Sequence, residues 1–495
     1  MVCADPLPPF GMNAEALSPV AYPCCSDLHQ APVARMTRAC LALLIATAFF
    51  TPLSSTLAYL SLTGLLICTV ADSARRGSWT HDLRLLRRHP MVLATLALLA
   101  WVALSTFWSA APARAAWSQW GRYLPMLIVP IAVLVLNRPG VSGQSWVRVW
   151  VAFGAAMVLT VLLSYGSTVW PFEVHWPVGP ENPAVFKHYI IQGVFSSLLV
   201  AGCVAGVLEL RRVGADPRPL KSDLVAEHSA SLTMALLLIA VAAAWNIVSL
   251  LPGKTGLLAL VVALLPLPFC VGSRRVRLSA AVLVAAAIAA VVLIPGTARD
   301  RTIATAKALL DPASWNRPTT EGLLELPDRQ APTVIRAKFL TVSATIIEEH
   351  PWFGSGARSY QREFCARAGP SWCEISKSSS GQPHNQWALF WVEQGLVGVA
   401  LFFIWCCASL ASGRWQPPRN KRLTPYQAQR GCEPTGIAAW RYLRWATGCV
   451  FFIHSMLDST LHLATEGLLY PLLLAVMVHR GDIKSTGGGK PTEQP

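Results

Sequence analysis

A histidine and an asparagine, His384 and Asn385, stand at the boundary between a polar loop and a long apolar stretch. The apolar stretch reads QWALFWVEQGLVGVALFF, and the loop before it opens with HPWFGSGARSYQREF from His350. The amino-terminal end of a helix carries unpaired N–H groups and partial positive charge, which favour a phosphate and disfavour an imidazolium. A neutral imidazole there can accept a proton from a hydroxyl group. The residues therefore predict acid–base chemistry on a membrane-embedded substrate; the alternative is that His384 only caps or anchors the helix.

The composition predicts a protein with many membrane-spanning helices. The chain has 495 residues, of which 53% are hydrophobic and 14% are charged, too few polar groups to cover a soluble domain of this size. Many of the 19 tryptophans lie near the ends of apolar runs, where indole rings favour the headgroup interface. Membrane orientation explains much of the net charge of +15, so we expect contact with membrane lipids and no nucleic-acid partner.

Apolar runs of bilayer length predict an all-α polytopic membrane protein with about 12 transmembrane helices. The runs cover residues 39–52, 54–72, 91–108, 121–136, 146–165, 188–208, 231–250, 255–272, 278–296, 386–408, 443–460 and 463–479. The corresponding regions are a disordered cytoplasmic N-terminus (1–35), helices 1–9 (36–296), one large periplasmic loop between helices 9 and 10 (297–385), helices 10–12 (386–480) and a disordered cytoplasmic tail (481–495).

Positive charges predict the orientation in the membrane. Arginines and lysines concentrate in alternate loops, at 75–88, 211–221, 274–277 and 414–430, so these loops and both termini are expected in the cytoplasm. The long segment 297–385 then faces the periplasm. Within it Ile335, Phe339, Val342 and Ile346 recur at helical spacing and predict an amphipathic helix over residues 333–349.

Two of the thirteen cysteines, Cys365 and Cys373, fall in this outer segment. The chain has no C-x-x-C pair, so neither a zinc site nor a thioredoxin-like site is indicated. A disulfide can form and persist outside the cytoplasm. We therefore predict a bond between Cys365 and Cys373, and interpret most of the other cysteines as small apolar fillers.

The motifs HPWFGSG and PHNQWALFWVEQGLVG resemble those of the O-antigen ligase and O-antigen polymerase superfamily of bacterial envelopes. The similarity extends over about residues 40–480 but is specific only at these two motifs. Members of this superfamily move glycans from a polyprenyl pyrophosphate carrier onto an acceptor. The resemblance implies a donor glycan linked to undecaprenyl pyrophosphate and a place in the bacterial inner membrane, with the active site facing the periplasm. It also implies a catalytic role for His384 and substrate binding by Asn385.

Four basic residues are predicted at the same membrane face as His384, namely Arg122, Lys187, Lys254 and Arg336. The charge of a departing diphosphate has to be stabilised, and cations can do this. Family members have an arginine before the His-Pro motif, which Arg336 matches, and a Ser-Arg-Gly-type turn where this chain has lysine at 254. Lysine keeps the charge but lacks the bidentate fork of arginine. We predict that the four residues bind the pyrophosphate; the alternative is ordinary interfacial snorkelling.

Further polar residues have open roles. His454, Asp458 and His462 are spaced four apart near the end of the predicted eleventh helix and would share one face, as a proton relay, a second catalytic element or a hydrogen-bonded packing contact. Glu393 lies inside the tenth helix, where it needs a partner or a proton, and the sequence identifies no partner. The outer face has no Asp-x-Asp, His-x-x-x-His or Glu-rich cluster, so no metal or other cofactor is expected.

These observations predict a metal-independent, inverting glycosyltransferase of the O-antigen ligase type. It would transfer an O-antigen glycan from undecaprenyl pyrophosphate to a hydroxyl of lipid A-core oligosaccharide, with His384 as the base. An O-antigen polymerase and a protein O-oligosaccharyltransferase are alternatives on the same scaffold. A polysaccharide transporter or flippase is less favoured, because transporters commonly place ionisable groups at the bilayer midplane and here the polar clusters favour one face.

Overall fold

The computed structural model describes residues 25–142, 145–169, 184–214, 222–251, 253–271, 274–293, 331–378, 381–411 and 437–478, together with residues 303 and 307. Within these ranges the chain is helical and contains no β-strand. Its α-helices are α1 (Cys25–Leu53), α2 (Ser55–Arg76), α3 (Trp79–Arg88), α4 (Pro90–Leu104), α5 (Ala113–Tyr123), α6 (Ile128–Leu136), α7 (Ser145–Val169), α8 (Tyr189–Gly214), α9 (Ser222–Trp245), α10 (Lys254–Leu264), α11 (Leu267–Cys270), α12 (Arg274–Leu293), α13 (Ala331–Glu349), α14 (Tyr360–Ala368), α15 (Pro370–Ser378), α16 (Gln386–Ala411), α17 (Ile437–Leu457) and α18 (Glu466–Val478). The predicted disordered tail and residues 1–24 of the predicted disordered N-terminus lie outside the described residues, and α1 begins at Cys25.

Eight helices in the described ranges are long and apolar enough to cross a membrane. They are Arg35–Leu53, Ser55–Arg76, Pro90–Trp108, Ala113–Leu136, Ser145–Val169, Tyr189–Arg211, Ser229–Leu250 and Gln386–Ala411. Two further predicted spans correspond to shorter apolar helices, Lys254–Cys270 and Glu466–Met477. Pro266 separates α10 from α11 in the first of these, because proline supplies no N–H to continue a helix. The described ranges are therefore all-helical and are consistent with a polytopic membrane protein.

Helices α8 and α10 begin at the same end of the bundle and approach closely. A Cβ atom added to Gly193 of α8 would lie 3.1 Å from the Cα of Gly256 of α10, closer than most side-chain contacts, so glycine favours this spacing. Ser197 of α8 donates a hydrogen bond to the carbonyl oxygen of Gly256, 3.1 Å long. This packing brings Lys187, just before α8, and Lys254, the first residue of α10, to one end of the bundle.

Residues 331–378, which we call the outer subdomain, form three helices around their own apolar cluster. Helix α13 buries one face, as its spacing predicts, and ends at Glu349. The cluster consists of Val334, Phe339, Val342, Ile346, Tyr360, Phe364 and Trp372 with Leu389 and Val392 of α16. A disulfide joins Cys365 of α14 to Cys373 of α15, which confirms the predicted pair.

The turn between α13 and α14, residues 350–359, docks into a break in α16, and we call it the docking turn. Gly395 interrupts the helix with φ of +64°. The two N–H groups that follow it donate to the carbonyl oxygens of Pro351 and Trp352, at 2.9 and 3.4 Å. A Cβ atom at Gly354 would lie 2.6 Å from the backbone of Glu393, and one at Gly395 would overlap the carbonyl group of Trp352. The glycines of the two family-like motifs thus allow two backbone segments to touch.

Candidate functional site

His384 lies between the outer subdomain and α16, and 24% of its side chain is exposed. Its φ of +50° is in the left-handed region, which histidine adopts more readily than most residues. One face of the imidazole stacks on Phe339 of α13, with 6.2 Å between ring centres and 11° between planes. Its Nδ1 lies 3.3 Å from Oδ1 of Asp458. The ring is therefore fixed on two sides.

Asp458 follows the last residue of α17, and its Oδ1 also accepts the N–H of Ser459 at 2.8 Å. Burial raises the pKa of this carboxyl, but the contact with His384 and smaller effects from His454 and the Ser459 N–H outweigh burial, so the pKa lies below its ordinary value. An ionised Asp458 accepts a hydrogen bond from Nδ1–H of His384. The lone pair of His384 is then on Nε2, as in a histidine base oriented by a carboxylate.

Asn385 caps the amino-terminal end of α16. Its Oδ1 accepts the N–H of Ala388 at 2.9 Å, as asparagine commonly does at this position. Its Nδ2 donates to the carbonyl oxygen of Met456 at 2.9 Å. Asn385 thereby ties the start of α16 to the end of α17 and holds His384 beside Asp458. Its contact with substrate stays a prediction.

Two arginines converge on His462, which lies in a 3-10 turn between α17 and α18. Nη1 of Arg122 lies 2.8 Å from Nε2 of His462, and Nη1 of Arg358 lies 3.4 Å from the same atom. Guanidinium groups only donate hydrogen bonds, whereas Oε1 of Gln119, an acceptor, lies 2.8 Å from the same Nε2. The other ring nitrogen, Nδ1, lies 3.0 Å from Oε1 of Gln382.

His462 is neutral in this arrangement. Burial lowers the pKa of His462 to about 3, assisted by the positive charges of Arg122 and Arg358 and opposed by Asp458. Because Gln382 lies two residues before His384, its hydrogen bond to His462 places the two arginines next to the histidine–aspartate pair. The side-chain amide of Gln119 lies between His462, at 2.8 Å, and the carboxylate of Glu393, at 3.3 Å.

Arg358 was not identified from the sequence. It lies in the docking turn with φ of +65°, and its backbone N–H and that of Tyr360 donate to the buried carboxylate of Glu393. The partners of Glu393 are thus backbone groups of the docking turn and Gln119. The available signal was a basic residue two positions after the glycine-rich HPWFGSG segment.

The other predicted cations lie around a different set of groups. Nζ of Lys187 donates to Oγ of Ser55 at 2.7 Å, and burial lowers the pKa of Lys187 while the charge of Glu466 opposes this. Lys254 begins α10, whose preceding glycine contacts the start of α8. Arg336 of α13 acts electrostatically on His454. Arg122 therefore differs from these three in meeting a second arginine.

The expectation that His454, Asp458 and His462 share one helical face is wrong. Helix α17 ends at Leu457, and His462 belongs to a separate 3-10 turn. Asp458 contacts His384 and His462 contacts the arginines, whereas Nδ1 of His454 lies 3.0 Å from the hydroxyl of Tyr470. The three side chains therefore contact different groups. In the described ranges no group of three or more His, Cys, Asp or Glu side chains is arranged to hold a metal ion.

Comparison with known families agrees with the motifs. Residues 238–403 match the family model described as O-Antigen ligase. The matched segment contains Lys254, Arg336, Arg358 and His384, whereas Asp458 lies outside it. A search among curated proteins found no match to the chain. The match covers both motifs and supports membership of the O-antigen ligase and polymerase superfamily.

Proposed function

We propose that this protein transfers an O-antigen glycan from undecaprenyl pyrophosphate to a hydroxyl of lipid A-core oligosaccharide at the periplasmic face of the bacterial inner membrane. The observation that carries the proposal is the pair formed by His384 and Asp458, 3.3 Å apart, at the end of an apolar bundle. A partly exposed base beside cationic side chains suits a reaction in which a hydroxyl attacks and a diphosphate departs.

The proposed mechanism is a single displacement. Nε2 of His384 accepts the proton of the acceptor hydroxyl as its oxygen forms a bond to the anomeric carbon of the donor. The bond between that carbon and the diphosphate oxygen breaks, and undecaprenyl pyrophosphate leaves with the electron pair. Asp458 stabilises the imidazolium that forms on His384. Attack and departure occur on opposite sides of the anomeric carbon, so its configuration inverts.

Positive side chains stabilise the leaving group in this proposal. Arg122 and the three cations Lys187, Lys254 and Arg336 are the candidates, and family membership supports a lipid-linked glycan as donor. Asn385 fixes the position of the base through its cap and its bond to Met456. In this mechanism, positive side chains stabilise the charge of the departing diphosphate, and no metal ion is required.

The test is transfer of a labelled lipid-linked glycan to lipid A-core by the purified full-length protein in detergent. His384→Asn removes the base but suits the left-handed backbone, and we expect it to lower the transfer rate by about 10²–10⁴-fold. Glu374→Gln is the matched control, because Glu374 is an exposed carboxylate of the outer subdomain that pairs with Lys377. A His384→Asn variant that transfers within about threefold of wild type would contradict the assigned base.

Acceptor identity is tested in the same assay. Ligase activity requires product on lipid A-core. Products only on a growing glycan would identify a polymerase, and products only on a protein hydroxyl would identify an oligosaccharyltransferase. In cells, gel analysis of lipopolysaccharide after gene deletion distinguishes the first two, because a ligase defect removes the whole O-antigen ladder and a polymerase defect removes its upper rungs.

A further inference from the structure

We propose that Arg122 and Arg358, whose Nη1 atoms both contact Nε2 of His462, form a phosphate-binding subsite that is separate from the cations Lys187, Lys254 and Arg336. The inference rests on the proposed function, because the phosphoryl group belongs to one of its two substrates. It is either part of the donor diphosphate or a phosphate carried by the acceptor oligosaccharide.

The first argument is the convergence of like charges. Both guanidiniums point an Nη1 atom at one imidazole nitrogen, at 2.8 and 3.4 Å, and each acts electrostatically on the other. Among the described residues neither forms an ion pair with a carboxylate. The charge of Glu393 acts on both arginines but forms an ion pair with neither, so two positive charges lie close together without a counter-ion in contact, which is unfavourable. A phosphoryl dianion would neutralise both and accept their remaining N–H donors.

The nearest carboxylate does not serve as that counter-ion. Glu393 is 2% exposed, and its oxygens accept the N–H groups of Arg358 and Tyr360 and contact Gln119. It therefore fixes the backbone of the docking turn. The side chain of Arg358 points instead to His462. Arg122, which contacts the same imidazole nitrogen, is exposed.

The second argument is the backbone of Arg358. In the described ranges only two non-glycine residues have positive φ, and they are Arg358 and His384. This conformation costs a residue with a Cβ atom free energy, and such strained residues cluster at functional sites where the surrounding fold enforces them. The docking turn enforces it here, since Gly354 lies against the backbone of Glu393. Strain at the proposed base and at Arg358 assigns both to one site.

The third argument is the grouping of charges around Asp458. Arg122 and Arg358 act on His462, whereas Arg336 acts on His454 and Lys187 acts on Glu466. Asp458 interacts with all three of those central groups. Arg122 and Arg358 thus act on a group that Lys187 and Arg336 do not act on. Two sets of cations can hold two anionic groups at once, such as the donor diphosphate and a phosphate of the acceptor.

Binding of inorganic pyrophosphate to the purified full-length protein, measured by titration calorimetry, tests the subsite without catalysis. We expect Arg358→Gln and Arg122→Gln each to weaken binding by about 10-fold to 100-fold, because each removes charged hydrogen bonds to phosphate. Arg358→Lys should keep part of the affinity. Lys377→Gln, on the exposed surface of the outer subdomain, is the matched control and should bind as wild type does. Unchanged affinity in both glutamine variants would overturn the subsite.

Transfer kinetics identify the source of the phosphate. A raised KM for the lipid-linked donor in Arg358→Gln assigns the subsite to the donor diphosphate. A raised KM for phosphorylated lipid A-core, but not for the dephosphorylated form, assigns it to the acceptor. Wild-type KM values for all three substrates would overturn the proposal even if pyrophosphate binds. Failure of the proposed function itself has a different result: His384→Asn retains transfer while pyrophosphate binding still depends on Arg358.

Discussion

Replacing Asp458 by asparagine tests the histidine–carboxylate pair most directly. The substitution keeps the shape of the side chain and removes its charge. In the native arrangement Oδ1 of Asp458 accepts Nδ1–H of His384 at 3.3 Å. Asparagine can present its NH₂ group instead, which draws the lone pair to Nδ1 and leaves the proton on Nε2. Nε2, the nitrogen that faces the acceptor hydroxyl in the proposed mechanism, then carries a proton and cannot accept another.

The size of the effect follows from the distance between the charges. An imidazolium and a carboxylate 3.3 Å apart attract each other by about 5 kcal/mol at the effective dielectric constant suited to such sites. Solvent lowers this value, because 24% of the His384 side chain and 13% of the Asp458 side chain are exposed. If about half of the attraction remains in the transition state, kcat falls by about 10²-fold. The KM values should stay near wild type, because Asp458 contacts the base and not the substrate.

The assay is initial-rate glycan transfer at saturating donor and acceptor, with Glu374→Gln measured in parallel. Thermal melting of both variants in detergent shows whether the protein remains folded. A folded Asp458→Asn variant with kcat within about threefold of wild type would refute the reasoning, because an interaction of this size cannot then be used in the transition state. A change confined to KM would instead make Asp458 a substrate-binding residue.

Three further outcomes concern stability. Gly395→Ala should lower the free energy of unfolding by about 2–4 kcal/mol or prevent folding, because the new Cβ overlaps the docking turn at positive φ. Gly121→Ala is the control, because a Cβ atom there meets nothing within 4 Å. Melting experiments should show that the control variant is tolerated. Replacing Cys365 and Cys373 by serine should remove about 2–3 kcal/mol from the stability of the outer subdomain, seen as faster proteolysis there. His462→Gln should flatten the fall in melting temperature between pH 6.5 and pH 4. The native pKa of His462 is about 3, below the unfolded value of about 6.5. Across that range the unfolded chain gains a proton that the native protein does not, which lowers the free energy of unfolding by about 1.4 kcal/mol per pH unit.

Each of these three stability predictions would be contradicted by a specific result. Equal melting temperatures for Gly395→Ala and Gly121→Ala would mean that the break in α16 is not packed as described. Proteolysis that responds to reductant equally in wild type and in the serine variant would contradict the role of the disulfide. Parallel pH profiles for wild type and His462→Gln would show that His462 is not held neutral between two arginines.

Much of the fold was predictable because apolar runs of bilayer length have few other outcomes. The amphipathic helix α13 and the Cys365–Cys373 bond were predictable for similar local reasons, namely spacing and position in one loop. His384 and Arg122 were predicted as site residues because each borders an apolar run. The location of each of these residues depends mainly on its own neighbours in the sequence.

The parts that were missed depend on contacts between distant segments. Arg358 gains its position from a turn held by backbone contacts to α16, which no local pattern reports. The sequence indicated no partner for Glu393 because its partners, backbone N–H groups of the docking turn and the side chain of Gln119, are distant from it along the chain. His462 was placed on a helix that ends earlier: Ser459 and Thr460 follow Asp458, and such residues favour turns at helix ends. Tertiary contacts decide each of these cases.

The docking turn also limits how this protein can be re-engineered. In a bilayer, backbone N–H groups left without a partner cost several kcal/mol each, and those after Gly395 are satisfied by carbonyl groups of the docking turn. A chimera that exchanges the outer subdomain for that of another transferase would therefore expose unpaired donors inside a membrane helix. Grafts intended to change acceptor choice should carry both segments of this contact, residues 350–359 and 392–397, as one unit.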